Sequence, residues 1–312
     1  MTPRKLIIDT DPGIDDAMAI LFAFASPDIH LVGLTTIFGN VTTVNATRNA
    51  LVLAELAGAS IPVSHGADKP LQIPPPPIAD FVHGKEGFGT VQATRPRGAP
   101  APLSGARHLV EACRSDPGSV TICAIGPLTN LALALDLDPG LVDNVAEVIV
   151  MGGSIRAGGN VSPYAEANIW QDPHAAARVF AADWPVKMVG LDVTQQIVCH
   201  RKDFASLAES APEWGGFLNQ ASQFYFDFYQ RDVGMVGCHL HDPTAIIATI
   251  RPDLFTFETG SIHVETEGER IGRTGFRTQA EPGPSRPTAF AAHVDDQAVK
   301  HLFFETIAGF GA

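Results

Sequence analysis

The chain opens with Lys5-Leu-Ile-Ile-Asp9-Thr-Asp11-Pro-Gly13-Ile-Asp15-Asp16-Ala-Met-Ala-Ile20. Leu6–Ile8 is short and wholly apolar, the pattern of a buried parallel strand. Pro12 and Gly13 impose a tight turn. Ala17–Ala25 predicts a helix, with acids in its first turn where the helix dipole favours them. Strand, turn and helix in that order predict the first unit of an open α/β sheet. Asp9 and Asp11 then close the strand, and Asp15 and Asp16 open the helix. Ligands of such sheets bind at the carboxyl ends of the strands. Four carboxylates within eight residues repel one another strongly unless a cation holds them. Oxygen donors alone favour a hard ion, Ca²⁺ or Mg²⁺, over zinc. Capping a helix needs one acid, not four.

The same alternation continues downstream. Ile29–Thr36, Ile61–Ser64, Val120–Ala124, Val145–Met151 and Val186–Gly190 read as strands. Thr43–Leu56, Leu128–Leu135, Pro173–Ala181 and Pro243–Ile250 read as helices between or after them. This predicts an α/β fold with an open, mostly parallel, doubly wound sheet. Residues 255–278 alternate in polarity and carry Gly turns, which predicts antiparallel strands added near the C-terminus. Ala298–Ile307 closes as a helix. No repeat and no linker composition interrupts the chain, so residues 1–312 are expected to form one domain.

Two segments break the rhythm and read as lids. Residues 66–105 are rich in Pro and Gly and carry Phe81-Val-His83-Gly84. Residues 212–242 carry the aromatic run Phe224-Tyr-Phe-Asp-Phe-Tyr229 and end at His239-Leu-His241-Asp242-Pro243. A run so aromatic is expected to pack a core, although Tyr225 and Tyr229 could also close over a ligand.

The net charge of −13 argues against nucleic acid or an anionic membrane as partner. Cys113, Cys123, Cys199 and Cys238 show no paired spacing, which fits a reducing, cytoplasmic setting. The N-terminal apolar run stops at Asp9, too short for a signal core. No apolar stretch approaches the roughly 20 residues that span a bilayer.

Polar groups suited to sugar hydroxyls recur at the ends of the predicted strands. They are Asn40 after Ile29–Thr36, Asn160, Glu166 and Asn168 after Val145–Met151, and His241-Asp242 before the helix Pro243–Ile250. Each has a plainer structural alternative: Asn40 and Asn160 as turn residues, Asp242 as a helix cap, His83 as a loop histidine.

Taken together these segments resemble the inosine–uridine-preferring nucleoside hydrolase family. The resemblance rests on Asp9-Thr-Asp11-Pro-Gly13-Ile-Asp15-Asp16, Thr35-Thr-Ile-Phe-Gly-Asn40, Gly126-Pro-Leu-Thr-Asn130, Met151-Gly-Gly153, Asn160 with Glu166 and Asn168, and His241-Asp242-Pro243. It runs from about residue 5 to about residue 250 and weakens beyond. It implies hydrolysis of the N-glycosidic bond of ribonucleosides. It further implies Ca²⁺ held by Asp11, Asp16, Asp242 and the backbone carbonyl of Ile125. Asp15, Asn40 and Asn168 would hold the ribose 2′- and 3′-hydroxyls, and Asn160 and Glu166 the 5′-hydroxyl. Asp9 would support the loop. Asp11 would act as general base and His241 as the acid for the leaving base, with His83 near that base. A homodimer or homotetramer is implied as well. A histidine at position 241 marks the broad-specificity and pyrimidine-using branches. The purine-specific branch uses tryptophans, and Trp170, Trp184 and Trp214 do not fall in the matching loops. Ala167 is smaller than the residue many relatives carry, and Gly272–Phe276 lacks an expected valine-rich strand.

Two other readings compete. A phosphatase of the haloacid dehalogenase type also opens with paired aspartates after a first strand, but wants Thr or Val where Gly13 stands. A non-catalytic, metal-dependent nucleoside binder would keep Asp11, Asp16 and Asp242 but need neither a base nor His241.

Overall fold

The structure, a computed structural model, describes residues 2–92, 94–278 and 286–310. Its strands are β1 (Arg4–Thr10), β2 (Ile29–Thr36), β3 (Val63–Ser64), β4 (Val120–Ala124), β5 (Glu147–Met151), β6 (Val186–Val189), β7 (Val198–Cys199), β8 (Cys238–His239), β9 (Phe255–Val264), β10 (Thr274–Thr278) and β11 (Thr288–Val294). Nine of them form one sheet in the order β10-β9-β11-β6-β5-β4-β1-β2-β3. Neighbours from β11 to β3 pair in parallel. β9 pairs antiparallel with β11 and with β10, which gives the expected antiparallel edge. The Gly272–Phe276 stretch leads into β10 without the valines that the resemblance favours. β7 and β8 form a separate two-stranded ribbon, which the sequence did not announce because each strand is only two residues long.

Alternation of side chains across the sheet explains why these strands are apolar throughout. Leu6 and Ile8 point into one core, while Ile7 points into the other. Cys123 and Ile149 face the first core, and Ile122 and Val148 face the second. Both faces are covered, so neither set can be polar. The first core takes the helices Ile14–Ala25, Trp214–Phe228, His241–Ile250 and Asp296–Phe310, and the second takes Gly105–Ser115, Thr129–Leu137 and Pro173–Ala181. Helix Ile14–Ala25 has eleven buried residues of twelve, the mark of a helix enclosed on all sides.

The chain runs outward from β1 to β2 and β3, then returns to place β4 on the other side of β1. The crevice where an open sheet reverses direction lies between those two strands. β1 ends on Asp9-Thr10, and β4 ends just before Ile125. The strand expected at Ile61–Ser64 is limited to Val63–Ser64, because Pro62 has no N–H to give a ladder and its carbonyl instead accepts from Leu34. Helix Ile14–Ala25 starts three residues earlier than its apolar run suggests, so Asp15 and Asp16 lie inside its first turn. Helix His241–Ile250 likewise begins before Pro243; Leu240 is its N-cap and Asp242 makes no capping bond.

Candidate active site

Asp16 organises the turn after β1. Its Oδ1 accepts from the Thr10 hydroxyl (2.5 Å) and the Asp11 N–H (3.2 Å), and its Oδ2 from the Gly13 N–H (3.0 Å) and Asn40 Nδ2 (2.9 Å). Asn40 also donates its backbone N–H to Asp11 Oδ2 at 2.6 Å. The other Asp11 oxygen, Oδ1, is buried with no partner. Asp15 Oδ2 accepts from the Tyr225 hydroxyl at 3.3 Å, and its Oδ1 is buried and unpaired. Asp242 arrives from the other end of the chain. Carboxylate oxygens of Asp15, Asp16 and Asp242 lie within 4.8 Å of one another. Asp11 falls outside that triplet, although its charge, with those of Asp15 and Asp16, helps raise the Asp242 carboxyl. The tight group therefore includes Asp15, where the resemblance placed Asp11.

Burial pushes all four carboxyls above the usual carboxylate range, and their mutual repulsion pushes Asp11, Asp16 and Asp242 further. Among the described residues no Lys or Arg pairs with any of them. Buried charges of one sign persist only with a counter-ion or added protons. Unpaired oxygens aimed into such a group are what a divalent cation replaces with ligand bonds.

Asp9 lies beneath the group rather than in it. Its Oδ1 accepts from the Thr35 hydroxyl (2.5 Å) and Asn130 Nδ2 (2.8 Å), and burial raises its carboxyl to about 7. Asn130 also donates to the Thr36 carbonyl and accepts from the Ala67 N–H, so the Gly126–Asn130 stretch ties β1, β2 and the root of the first lid together. The Asp9 carbonyl receives the Ile125 N–H at 2.8 Å.

Three further loops close around this floor. Asn168 Nδ2 donates to the carbonyls of Ile125 (3.0 Å) and Met151 (3.1 Å) and so bridges the ends of β4 and β5. Glu166 is buried and accepts the N–H groups of Gly153, Asn168 and Ile169; burial raises it to about 7. Asn160 is exposed, and its Oδ1 fixes the Ala167 N–H at 3.0 Å. It stands at the rim of the Glu166–Asn168 segment. His83 is no surface histidine. It is 5 % exposed, its Nδ1 accepts the Ile14 N–H at 3.1 Å, and it stacks on Tyr225 at 5.7 Å.

His241 is buried between Tyr229 and Thr194. Its Nε2 is 3.0 Å from the Tyr229 hydroxyl and its Nδ1 2.7 Å from Thr194 Oγ1. Burial, reinforced by His239 and His83, holds its pKa well below the ordinary range. Tyr225 and Tyr229 do pack the core, as an aromatic run predicts, yet their hydroxyls run from Asp15 to His241 (Tyr225 to Tyr229, 3.5 Å). Their place in the aromatic run before His241 was their sequence signal. Thr194 had none. Trp170, by contrast, is only half-buried, whereas Trp184 and Trp214 belong to the core.

The sequence matches the family described as inosine–uridine preferring nucleoside hydrolase over residues 6–301. It is 45% identical over 272 residues to uridine nucleosidase 1 of Arabidopsis thaliana, covering 87% of this chain and 81% of that protein. It is 37% identical over 276 residues to the inosine–uridine preferring nucleoside hydrolase of Crithidia fasciculata, covering 86% of this chain and 85% of that one. Among solved structures it superposes on a plant nucleoside hydrolase, the PpNRh1 enzyme, with a TM-score of 0.93 and 39% identity, over 98% of this chain and 99% of the other. No helix among the described residues is long and apolar enough to cross a membrane. These relatives and structures are named as nucleosidases and nucleoside hydrolases, and the chain belongs to the inosine–uridine preferring nucleoside hydrolase family.

Proposed function

We propose that the chain hydrolyses ribonucleosides to ribose and free base at the aspartate-lined crevice between β1 and β4, with Ca²⁺ as its ion. The observation that carries this reading is the buried, uncompensated carboxylate group. Its donors fit a hard cation: Asp16 and Asp242, with Asp11 and the Ile125 carbonyl as the family resemblance implies, and Asp15 close enough to join them. Oxygen-only donors of this number suit Ca²⁺. Bound there, the ion would supply positive charge that acidifies water and steadies sugar hydroxyls.

The side chains then divide the work. Asp11 Oδ1, buried and unpaired, takes the proton of the attacking water as general base. The water oxygen bonds to the anomeric carbon as its bond to the base nitrogen breaks, and that electron pair leaves with the base. Asp15, Asn40 and Asn168 receive the 2′- and 3′-hydroxyls. Asn160 and Glu166 receive the 5′-hydroxyl. The carboxylates and amide oxygens surround the ring as positive charge develops on it, which favours the transition state over the ground state. His241, which takes a second proton from solvent before each turnover, gives that proton to the departing base and returns to the neutral ring that its burial favours. His83 and Tyr225, stacked beside Asp15, flank the same side.

The test uses inosine, uridine and p-nitrophenyl phosphate, each with added Ca²⁺ and after exhaustive chelation. Reducing sugar from the nucleosides, abolished by chelator and restored by Ca²⁺, is the expected result. Turnover that survives chelation, or phosphate release without nucleoside cleavage, would refute it. A cytoplasmic setting and a homodimer or homotetramer complete the proposal; sedimentation analysis checks the latter.

A further inference from the structure

Residues 83–89 of the first lid lie against the turn that carries the acids. Two struts hold them there. One is the His83 ring, whose Nδ1 accepts the Ile14 N–H at 3.1 Å and would stand 2.6 Å from a Cβ on Gly13. The other is Asn49, on the helix Thr43–Leu56 and 1 % exposed. Its Nδ2 donates to the Pro12 carbonyl at 2.9 Å and to the Glu86 carbonyl at 2.8 Å. Its Oδ1 accepts two N–H groups of Arg48, at 3.1 and 2.9 Å. Arg48 also donates to the Glu86 carbonyl at 3.0 Å and pairs with the Glu86 carboxylate. Both donors and both lone pairs of the amide are used. Only one orientation satisfies them, since a flipped amide would set its oxygen against two carbonyls and its N–H groups against a guanidinium. Gly87 closes over this joint. Its φ is +96°, and a Cβ there would lie 2.6 Å from Asn49 Nδ2 and 2.7 Å from the Pro12 carbonyl, so neither the backbone nor the space admits a side chain.

The turn from Pro12 to Asp16 therefore meets the lid and the acid group together. Its Pro12 carbonyl and Ile14 N–H go to the lid side, while its Gly13 N–H goes to the Asp16 carboxylate. A shift of the turn that loosens Asp15 and Asp16 also breaks the bonds that hold the lid. A cation that pins those carboxylates makes release of the lid more costly. We infer that Asn49 is a positioning residue that couples the cation site to the first lid, through one amide nitrogen shared by the Pro12 and Glu86 carbonyls. The bound ion fastens the lid, and the fastened lid strengthens the hold on the ion. Linkage requires both halves, by the same factor. Elsewhere the lid segment packs Phe88 edge-on to Phe217 at 5.2 Å, so it keeps an anchor when the Asn49 joint is cut. The coupling rests on the proposed ion and on nothing in the reaction.

Hydrogen exchange and calorimetry read the two halves separately. The Gly84, Gly87 and Gly89 amides bond within the lid segment, to the carbonyls of Asp80, Gly84 and His83, so their exchange reports its opening. Calorimetry reports Ca²⁺ binding, with Asp242→Asn as the blank. In the wild type, saturating Ca²⁺ is expected to slow exchange of those amides about 10-fold, within the usual span of coupling between sites. Asn49→Ala should cut that protection to under about 2-fold and weaken Ca²⁺ binding about 10-fold. Arg48→Ala, at a half-buried side chain whose partners are Asn49 and Glu86 rather than the acid group, should move both readings the same way, and it decides the matter if Asn49→Ala folds poorly. A merely structural asparagine would speed lid exchange equally with and without Ca²⁺ and leave Ca²⁺ affinity within about 2-fold of wild type. That pattern overturns the inference. So does a wild type that binds Ca²⁺ with no change in lid exchange, which leaves the proposed ion standing. A wild type that takes up no Ca²⁺ at all sinks the proposed ion, and the coupling with it.

Discussion

Gly126 offers the sharpest test of how closely this site is built. It follows Ile125 at the end of β4, and nothing in its backbone conformation demands glycine. What excludes a side chain is Asp11. A Cβ on Gly126 would lie 2.5 Å from Asp11 Oδ1 and 2.8 Å from Ile37 Cγ2. Ordinary contact begins at 3.4 Å, so Gly126→Ala demands a displacement of about 0.9 Å. The Asp11 carboxylate can turn away only by giving up the Asn40 N–H that holds its other oxygen at 2.6 Å. The alternative is that β4 yields. That moves Ile125, whose N–H holds Asp9 and whose carbonyl holds Asn168. Either way a proposed base or a proposed ligand leaves its place. A shift near 1 Å at reacting groups costs on the order of 10²-fold in rate, or about 2.7 kcal/mol of transition-state stabilisation. Overpacking of one methyl should cost about 1–3 kcal/mol of stability, a fall in Tm of several degrees that leaves the protein folded at 25 °C. The assay is kcat/KM on inosine and uridine at saturating Ca²⁺, with calorimetric Ca²⁺ affinity beside it. A Gly126→Ala protein with wild-type kcat/KM and wild-type Ca²⁺ affinity would refute the placement of Asp11 and Ile125 in the working site.

Replacing one acid of the group should separate stability from function. Asp242→Asn removes a carboxyl that burial and three neighbouring acids push well up, and that the metal-free protein must protonate in order to fold, so the metal-free protein is expected to melt about 2–4 °C higher at pH 7, while the rise in Tm on adding Ca²⁺ disappears; a lower metal-free Tm contradicts the repulsion argument. Stability of the metal-free protein should also fall as pH rises. Burial raises Asp9 from 3.8 and Glu166 from 4.5, both to about 7, so the native state holds more protons than the unfolded chain between those values. The stabilisation is complete below about pH 4 and is lost as pH rises through about 7; urea midpoints in chelator at pH 5 and 7.5 measure it, and a higher midpoint at 7.5 opposes it. Replacing His241 by alanine should cost about 10²–10⁴-fold on uridine and inosine, the range of a positioned acid, and far less on a p-nitrophenyl riboside. Equal losses on the two substrates would remove His241 from that role.

Local chemistry makes part of this protein legible without coordinates. An apolar run ended by a Pro-Gly turn and an acidic helix start forms one βα unit almost wherever it is placed. The alternation of such units forces a parallel sheet, because crossover connections leave no other economical packing. Asp9, Asp11, Asp15 and Asp16 share one turn, so their proximity needs no fold. Asp242 is different. It lies more than 220 residues from Asp16, and only the docking of helix His241–Ile250 against helix Ile14–Ala25 brings its carboxylate to theirs. The same holds for His83, which looks like a loop histidine until the first lid packs its ring under the Ile14 N–H. Tyr225 and Tyr229 illustrate the limit most clearly. Their rings obey the hydrophobic pattern, which governs area, while their two hydroxyl oxygens find partners in Asp15 and His241. Apolar burial is non-directional and periodic, so sequence records it. A hydrogen bond depends on tenths of an ångström between residues far apart in the chain, and those distances are set only when both cores of the sheet have closed.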